Sequence, residues 1–276
     1  MNQAADLHTH TTASDGQYTP AELVPLAKAR GLSILAVTDH DTIAGVAEAQ
    51  WAGTELGVTV IRGVELSAKE YSNFHILGYG FQSGNTELAR LCEKLRAGRD
   101  DRKYKIVDFL RDKGMEIDLD EVEELAGGEV IARPHFAQVM VKHGCVSTNR
   151  EAFDHYLDTE EFRQQVKRFK ADARTCVETI KAAGGKVSLA HPYQMGLTNE
   201  ELDALVKQLK GWGLDAIECY YPKYTLEQQK FYLHLAEKYG LHQTGGSDFH
   251  GEKVKPDVEL AELELDVNWL LSKSVL

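Results

Sequence analysis

Short apolar runs recur along this chain, and several of them end at once in histidine and carboxylate residues. That pairing constrains the fold more than any other feature. Asp6-Leu7-His8-Thr9-His10 is the first instance. In a strand, residues two apart point to the same face, so His8 and His10 present two imidazoles to one point, as a transition-metal ion needs. Asp15 follows in the polar turn Thr11-Thr12-Ala13-Ser14-Asp15-Gly16, from which a carboxylate can reach the same locality.

The pattern then repeats. Thr19-Pro20-Ala21-Glu22 reads as a helix start, with Thr as cap, Pro in the first turn and Glu closing a capping box; the helix is expected to run to about Arg30 and stop at Gly31. Ser33 to Val37 reads as a buried strand delivering Thr38-Asp39-His40-Asp41. A second helix is expected over Ile43 to Leu56. Val58 to Ile61 is the next strand, delivering Gly63-Val64-Glu65-Leu66-Ser67, and Phe74 to Tyr79 is another, carrying His75. Beta-alpha units place ligands at the carboxyl ends of their strands, and His8, His10, His40 and Glu65 fall at or just after such ends.

Residues 86–183 lack a strand pattern and read as an inserted helical subdomain over the barrel mouth, with amphipathic segments at Leu88 to Arg111 and Phe162 to Lys181. Arg99 and Arg102 are three apart and share a helix face. Arg133-Pro134-His135-Phe136 opens a further helix, Ala137 to Lys142, ended by Gly144; arginine beside a helix N-terminus suits a phosphate. Strands resume at Lys186 to Ala190, delivering His191-Pro192, at Asp215 to Tyr220, and at Leu241 to Thr244, delivering Ser247-Asp248-Phe249-His250. Helices are expected at Glu200 to Lys210 and Leu226 to Tyr239. The tail, Val258 to Leu276, reads as an extended piece and a closing helix. The domain reading is therefore a barrel of residues 1–85 and 184–276, interrupted by the insert.

His8, His10, Asp15, His40, Glu65, His75, His191, Asp248 and His250 together give six imidazoles and three carboxylates. Structural zinc sites favour cysteine and are closed by four ligands. This set has no cysteine and too many ligands for one ion, so it suits two or three catalytic ions with Glu65 as a bridge. His143, His155, His234 and His242 sit in ordinary helix or strand-start contexts. Asp39 precedes His40 and either orients a ligand or caps a turn. Tyr220-Tyr221 reads as core.

A net charge of −12 with no basic block argues against a grip on long duplex nucleic acid, but leaves room for a small phosphorylated substrate. Cys92, Cys145, Cys176 and Cys219 are scattered and read as reduced, as in a cytoplasmic protein. The polar N-terminus shows no signal peptide, and no apolar run is long enough for a bilayer. Nothing points to a particular oligomeric state.

His8-x-His10, Thr38-Asp39-His40, Gly63-Val64-Glu65, His75, Ala190-His191-Pro192 and Ser247-Asp248-x-His250 resemble the ordered motifs of the polymerase and histidinol phosphatase (PHP) family. The stretch from Asp6 to Gly16, Gly63-Val64-Glu65-Leu66-Ser67 and Arg133-x-His135-Phe136-Ala137 resemble its bacterial phosphoesterases, which include 3′,5′-nucleoside bisphosphate phosphatases and 5′-3′ exoribonucleases. The resemblance implies an α/β fold, a distorted (β/α)7 barrel, and a centre of three divalent ions, Mn²⁺ first, with Fe²⁺ or Zn²⁺ as alternatives. One ion would take His8, His10, Glu65 and Asp248; a second Glu65, His75 and His191; a third Asp15, His40 and His250. Arg99, Arg102, Arg133 and His135 match phosphate or nucleotide contacts of the insert. Tyr156 to Thr175 departs from the pattern, being a charged helical stretch where relatives carry a shorter link.

The expected activity is metal-dependent hydrolysis of the 3′-phosphate of nucleoside 3′,5′-bisphosphates, with His135 and Asp39 as candidates for the acid that protonates the leaving group. The alternatives are a 5′-3′ exonuclease on short RNA or DNA, a histidinol-phosphate phosphatase, and a non-catalytic metal-bound module.

Overall fold

The computed structural model describes residues 3–126, 131 and 133–271. In chain order its elements are β1 (Gln3–Thr9), α1 (Pro20–Ala29), β2 (Ile34–Val37), α2 (Val46–Leu56), β3 (Thr59–Ser67), β4 (His75–Tyr79), α3 (Thr86–Asp112), α4 (Leu119–Ala126), α5 (Arg133–Lys142), α6 (Asn149–Ala152), α7 (Glu160–Gln165), α8 (Ala173–Ala182), β5 (Lys186–Leu189), α9 (Asn199–Trp212), β6 (Ala216–Tyr220), α10 (Leu226–Tyr239), β7 (His242–Gly245) and β8 (Leu263–Leu265). They fall into two compact units, Met1–Glu93 with Lys170–Leu276, and Lys94–Phe169.

The first unit is an α/β barrel-shaped sheet of eight strands in the order β7-β6-β5-β4-β3-β2-β1-β8. Strands β1 to β3 run parallel, as do β5 to β7, while β4 runs antiparallel to both neighbours and β8 antiparallel to β1. The sheet nearly closes: the His10 N–H donates to the Phe249 carbonyl at 2.9 Å and the Asp248 N–H to the His8 carbonyl at 2.8 Å. Strand β2 shows why the elements form here. Ile34 and Ala36 enter a cluster with Leu7, Ile61, Leu77 and Tyr79, whereas Leu35 and Val37 pack with Leu23, Val24 and Val60. Both faces are buried, so the run is apolar without alternation.

Four sequence expectations change. Strand β3 does not stop at Ile61 but continues through Glu65 to Ser67. Its first half pairs with β2 and its second half with the antiparallel β4, so Glu65 lies inside a strand. Gly63 marks the changeover, because a Cβ there would lie 2.5 Å from the Val37 carbonyl oxygen. Helix α2 begins at Val46, not Ile43, because the Thr42 hydroxyl accepts the Ala44 N–H and holds those residues in a turn. Phe162 to Lys181 is two helices, not one segment: between them Ala171 bridges to Ala68, and its carbonyl accepts the Lys69 N–H at 2.9 Å. The tail forms β8, and residues 268–270 are turn; the last residues of the expected closing helix lie outside the described residues.

The second unit has its own core, built from Ile106, Phe109 and Leu110 of α3, Val122 of α4, Phe136, Val139 and Met140 of α5, and Phe162 of α7. Helix α8, inside the range 86–183 of the expected insert, belongs to the first unit. No helix among the described residues is long and apolar enough to cross a membrane.

Candidate metal centre

The nine candidate ligands all lie in the first unit, and the fold brings them together. His8 sits inside β1 and His10 just past its end, on the same face. His75 opens β4. Because β4 is antiparallel, its first residue lies at the end of the sheet where the parallel strands finish. His40 and Glu65 form an isolated parallel bridge. Asp41, His191 and Asp248 have φ of 55°, 22° and 56°, and each is a candidate ligand or adjoins one. Such strain, of order 1–3 kcal/mol per residue, persists when neighbours hold it. Here the Asp41 carboxylate accepts the Ser67 N–H at 2.8 Å and the Ser67 hydroxyl at 3.0 Å, while the His191 N–H donates to Glu218 at 2.6 Å.

Glu65 is the hub. Its Oε1 lies 2.9 Å from His75 Nδ1 and 2.9 Å from His191 Nε2, and those nitrogens are 3.3 Å apart. Its Oε2 lies 3.4 Å from His8 Nε2, 3.2 Å from His10 Nε2 and 2.8 Å from His40 Nδ1. Asp248 Oδ1 is 3.8 Å from His8 Nε2 and 3.3 Å from His10 Nε2. A third group gathers Asp15, His40 and His250 beside His10, with His250 Nε2 at 3.3 Å and His40 Nε2 at 3.9 Å from Asp15 oxygens.

These residues fit divalent ions. Neighbouring donors at about 2.1 Å from one ion lie roughly 3.0–3.4 Å apart, close to the 2.8–3.4 Å seen around Glu65. Buried ligand atoms are also left over: His8 Nε2, both ring nitrogens of His10, His40 Nδ1 and Glu65 Oε2 crowd together yet make no well-directed hydrogen bond among the described residues. Orphaned buried polar atoms are costly unless something else satisfies them. Protonation follows the same logic. Burial drives His75 down to about 3, leaving a neutral imidazole with a free lone pair. Burial opposes the ionised form of Glu65, yet His40 and His8, with His10 beside them, hold its carboxyl well below the usual range. Burial also opposes a charge on His10, but Asp248 and Glu65 lift it to about 9, so a proton occupies a place that a cation can take.

The PHP domain family matches residues 6–182. This chain belongs to the PHP family. The PHP chain is 39% identical over 251 residues to a 5′-3′ exoribonuclease of Haemophilus influenzae, covering 91% of each. It is 35% identical to a 3′,5′-nucleoside bisphosphate phosphatase of Chromobacterium violaceum, covering 89% of this chain and 86% of that one. A solved amidohydrolase from Chromobacterium violaceum, with bound sulfate and no metal, superposes with a TM-score of 0.82 at 31% identity, over 94% of this chain and 92% of that one. As a PHP metal-dependent phosphoesterase, the protein is a hydrolase acting on phosphoric esters.

The other sequence candidates are Asp39, beside His40, and four residues of the second unit. Asp39 is buried, and its carboxylate accepts the Thr11 N–H at 2.8 Å, the Thr11 hydroxyl at 2.7 Å and the Ser14 hydroxyl at 2.6 Å. These three bonds hold the turn that carries Asp15. Arg99 and Arg102 on α3, and Arg133 and His135 on α5, are in the second unit. Burial, with Arg133 and Arg99 nearby, pushes Arg102 down to about 10. Arg133 donates to Asp158 at 2.6 Å and to the Leu157 carbonyl at 3.1 Å.

Sequence reasoning passed over Glu218 and Lys255, and read Tyr221, which also touches the centre, only as core. Glu218, fully buried on β6, accepts from His8 Nδ1 at 3.1 Å. Tyr221 and Lys255 both donate to Asp248 Oδ2, at 3.1 and 2.7 Å. A glutamate within the apolar run Ala216 to Tyr220 was a readable signal for the first. Lys255 carries no local signal, since it lies in an irregular loop after His250.

Proposed function

We propose that this protein is a three-ion phosphoesterase that removes the 3′-phosphate of nucleoside 3′,5′-bisphosphates. The observation that carries the reading is the sharing of Glu65 among overlapping donor groups. His8, His10, Glu65 and Asp248 would hold one ion, Glu65, His75 and His191 a second, and Asp15, His40 and His250 a third. Divalent ions, Mn²⁺ first and Fe²⁺ or Zn²⁺ otherwise, supply Lewis acidity toward a phosphoryl oxygen and bring the pKa of water toward neutrality.

The chain's own residues do the rest. Arg99, Arg102 and Arg133 are assigned to the substrate's phosphate oxygens, as planar, permanently charged donors. For Arg133 this means exchanging Asp158 for the substrate. His135 is the remaining candidate for holding the proton that the leaving oxygen takes. The net charge of −12 supports a small or short substrate over a long duplex. The free cysteines support a cytoplasmic setting.

A second reading, 5′-3′ exonuclease action on short RNA, is favoured by the 39% identical exoribonuclease. The test compares kcat/KM on adenosine 3′,5′-bisphosphate, a 5′-phosphorylated trinucleotide and histidinol phosphate. The first is expected to lead. A tenfold lead for the trinucleotide would favour the second reading, and one for histidinol phosphate would overturn both.

A further inference from the structure

Glu218 lies on β6, outside the nine ligands, and is fully buried. Its two oxygens have separate tasks. Oε1 accepts from His8 Nδ1 at 3.1 Å, and Oε2 accepts the His191 backbone N–H at 2.6 Å. No lysine or arginine among the described residues pairs with this carboxylate, so His8 is its only route to a positive charge.

We propose that Glu218 is a positioning residue that ties two ion sites together through His8 and His191. On the His8 side it fixes the tautomer: with the proton on Nδ1, the Nε2 lone pair is left for the ion shared with Glu65 and Asp248. On the His191 side it anchors a backbone held at φ 22°, the turn that keeps His191 Nε2 2.9 Å from Glu65. The inference rests on the metal-centre reading above.

The isosteric amide cannot do both tasks. Glutamine offers one acceptor where Glu218 faces two N–H donors. If its oxygen serves His191, its NH₂ faces His8 and forces the proton onto Nε2, which then cannot ligate. If its oxygen serves His8, its NH₂ opposes the His191 N–H and the strained turn loses its anchor.

The test is equilibrium binding of Mn²⁺ alone to metal-stripped wild-type protein and Glu218→Gln, followed by calorimetry and metal analysis. Glu218→Gln is expected to weaken one or two of the bound ions by about 10- to 100-fold, the range for a group one step behind a ligand. The ion at Asp15, His40 and His250 should keep its Kd. Unchanged binding of every ion, or equal weakening of all of them, would overturn the proposal; a wild-type protein that binds no Mn²⁺ would overturn the metal-centre reading as well. A second measurement does not depend on Glu218→Gln folding. In Zn²⁺-loaded wild-type protein labelled with ¹⁵N-histidine, the His8 signals, identified by their loss in His8→Gln, should show a proton on Nδ1 and none on Nε2. A proton on Nε2 would refute the assignment.

Discussion

His40 and Glu65 are joined twice. Their backbones form an isolated parallel bridge, in which the Asp41 N–H donates to the Glu65 carbonyl at 2.9 Å, and their side chains meet at 2.8 Å between His40 Nδ1 and Glu65 Oε2. The loop after β2 and the continuation of β3 are thereby one piece, and Glu65 cannot move without His40. Glu65→Gln should therefore cost bound ions and turnover together. The expected loss of kcat exceeds the roughly 10- to 100-fold typical of groups one step behind a ligand. Metal analysis beside kinetics on an aryl phosphate checks this, and full metal content with normal turnover would deny Glu65 its place.

Lys255 is a cation beside this centre, and Asp248 Oδ2 at 2.7 Å is its hydrogen-bond partner. Tyr221 donates to the same oxygen, so Asp248 keeps one hold if the lysine is removed. Lys255→Met is expected to weaken the ion that Asp248 shares by about 10-fold, the low end for a group one step behind a ligand, and to leave the other ions unchanged. Unchanged binding of every ion would show that Tyr221 alone is enough to hold Asp248.

Asp39→Asn separates two accounts of that residue. Its carboxylate organises Thr11 and Ser14, and through them the turn bearing Asp15. The amide should disorder the turn and weaken the ion held by Asp15, His40 and His250, with little change in the others. A variant that keeps every ion and loses turnover would return Asp39 to the role of proton donor.

Asp172 caps α8, accepting the Thr175 N–H at 2.7 Å. Hydrogen bonds from Thr175, with help from Lys69, lower its pKa below the ordinary 3.8. A depressed carboxylate pKa stabilises the fold above the unfolded value, and the contribution fades as pH falls through the folded one. Asp172→Ala should cost about 1 kcal/mol at neutral pH, or roughly 2–4 °C in Tm, and the gap should narrow below about pH 3.8. A gap independent of pH would mean that the charge contributes nothing.

Much of this was legible in the chain. The Thr19–Glu22 capping box forms as its residues require, and the short buried strands are where their apolar runs place them, with His10 and His191 just past strand ends, Glu65 inside β3 and Asp15 in the turn after β1. What was hidden is tertiary. The run through Gly63 to Ser67 becomes strand by pairing with β4, a partner that periodicity alone does not reveal. The break between α7 and α8 depends on Ala171 meeting Ala68. Asp39 reads equally as ligand support or turn cap until Thr11 and Ser14 are seen to hydrogen-bond to it. Lys255 comes within reach of Asp248 through an irregular loop that has no periodicity to read.

The most direct test of the central claim is the metal content of the purified chain. Metal-stripped protein would be reconstituted with Mn²⁺, freed of excess ion and measured per chain, beside Glu65→Gln and Asp15→Ala. The account predicts about three ions in the wild-type protein, one fewer in Asp15→Ala and a larger loss in Glu65→Gln. Fewer than about one ion per wild-type chain, or equal content in all three proteins, would contradict it.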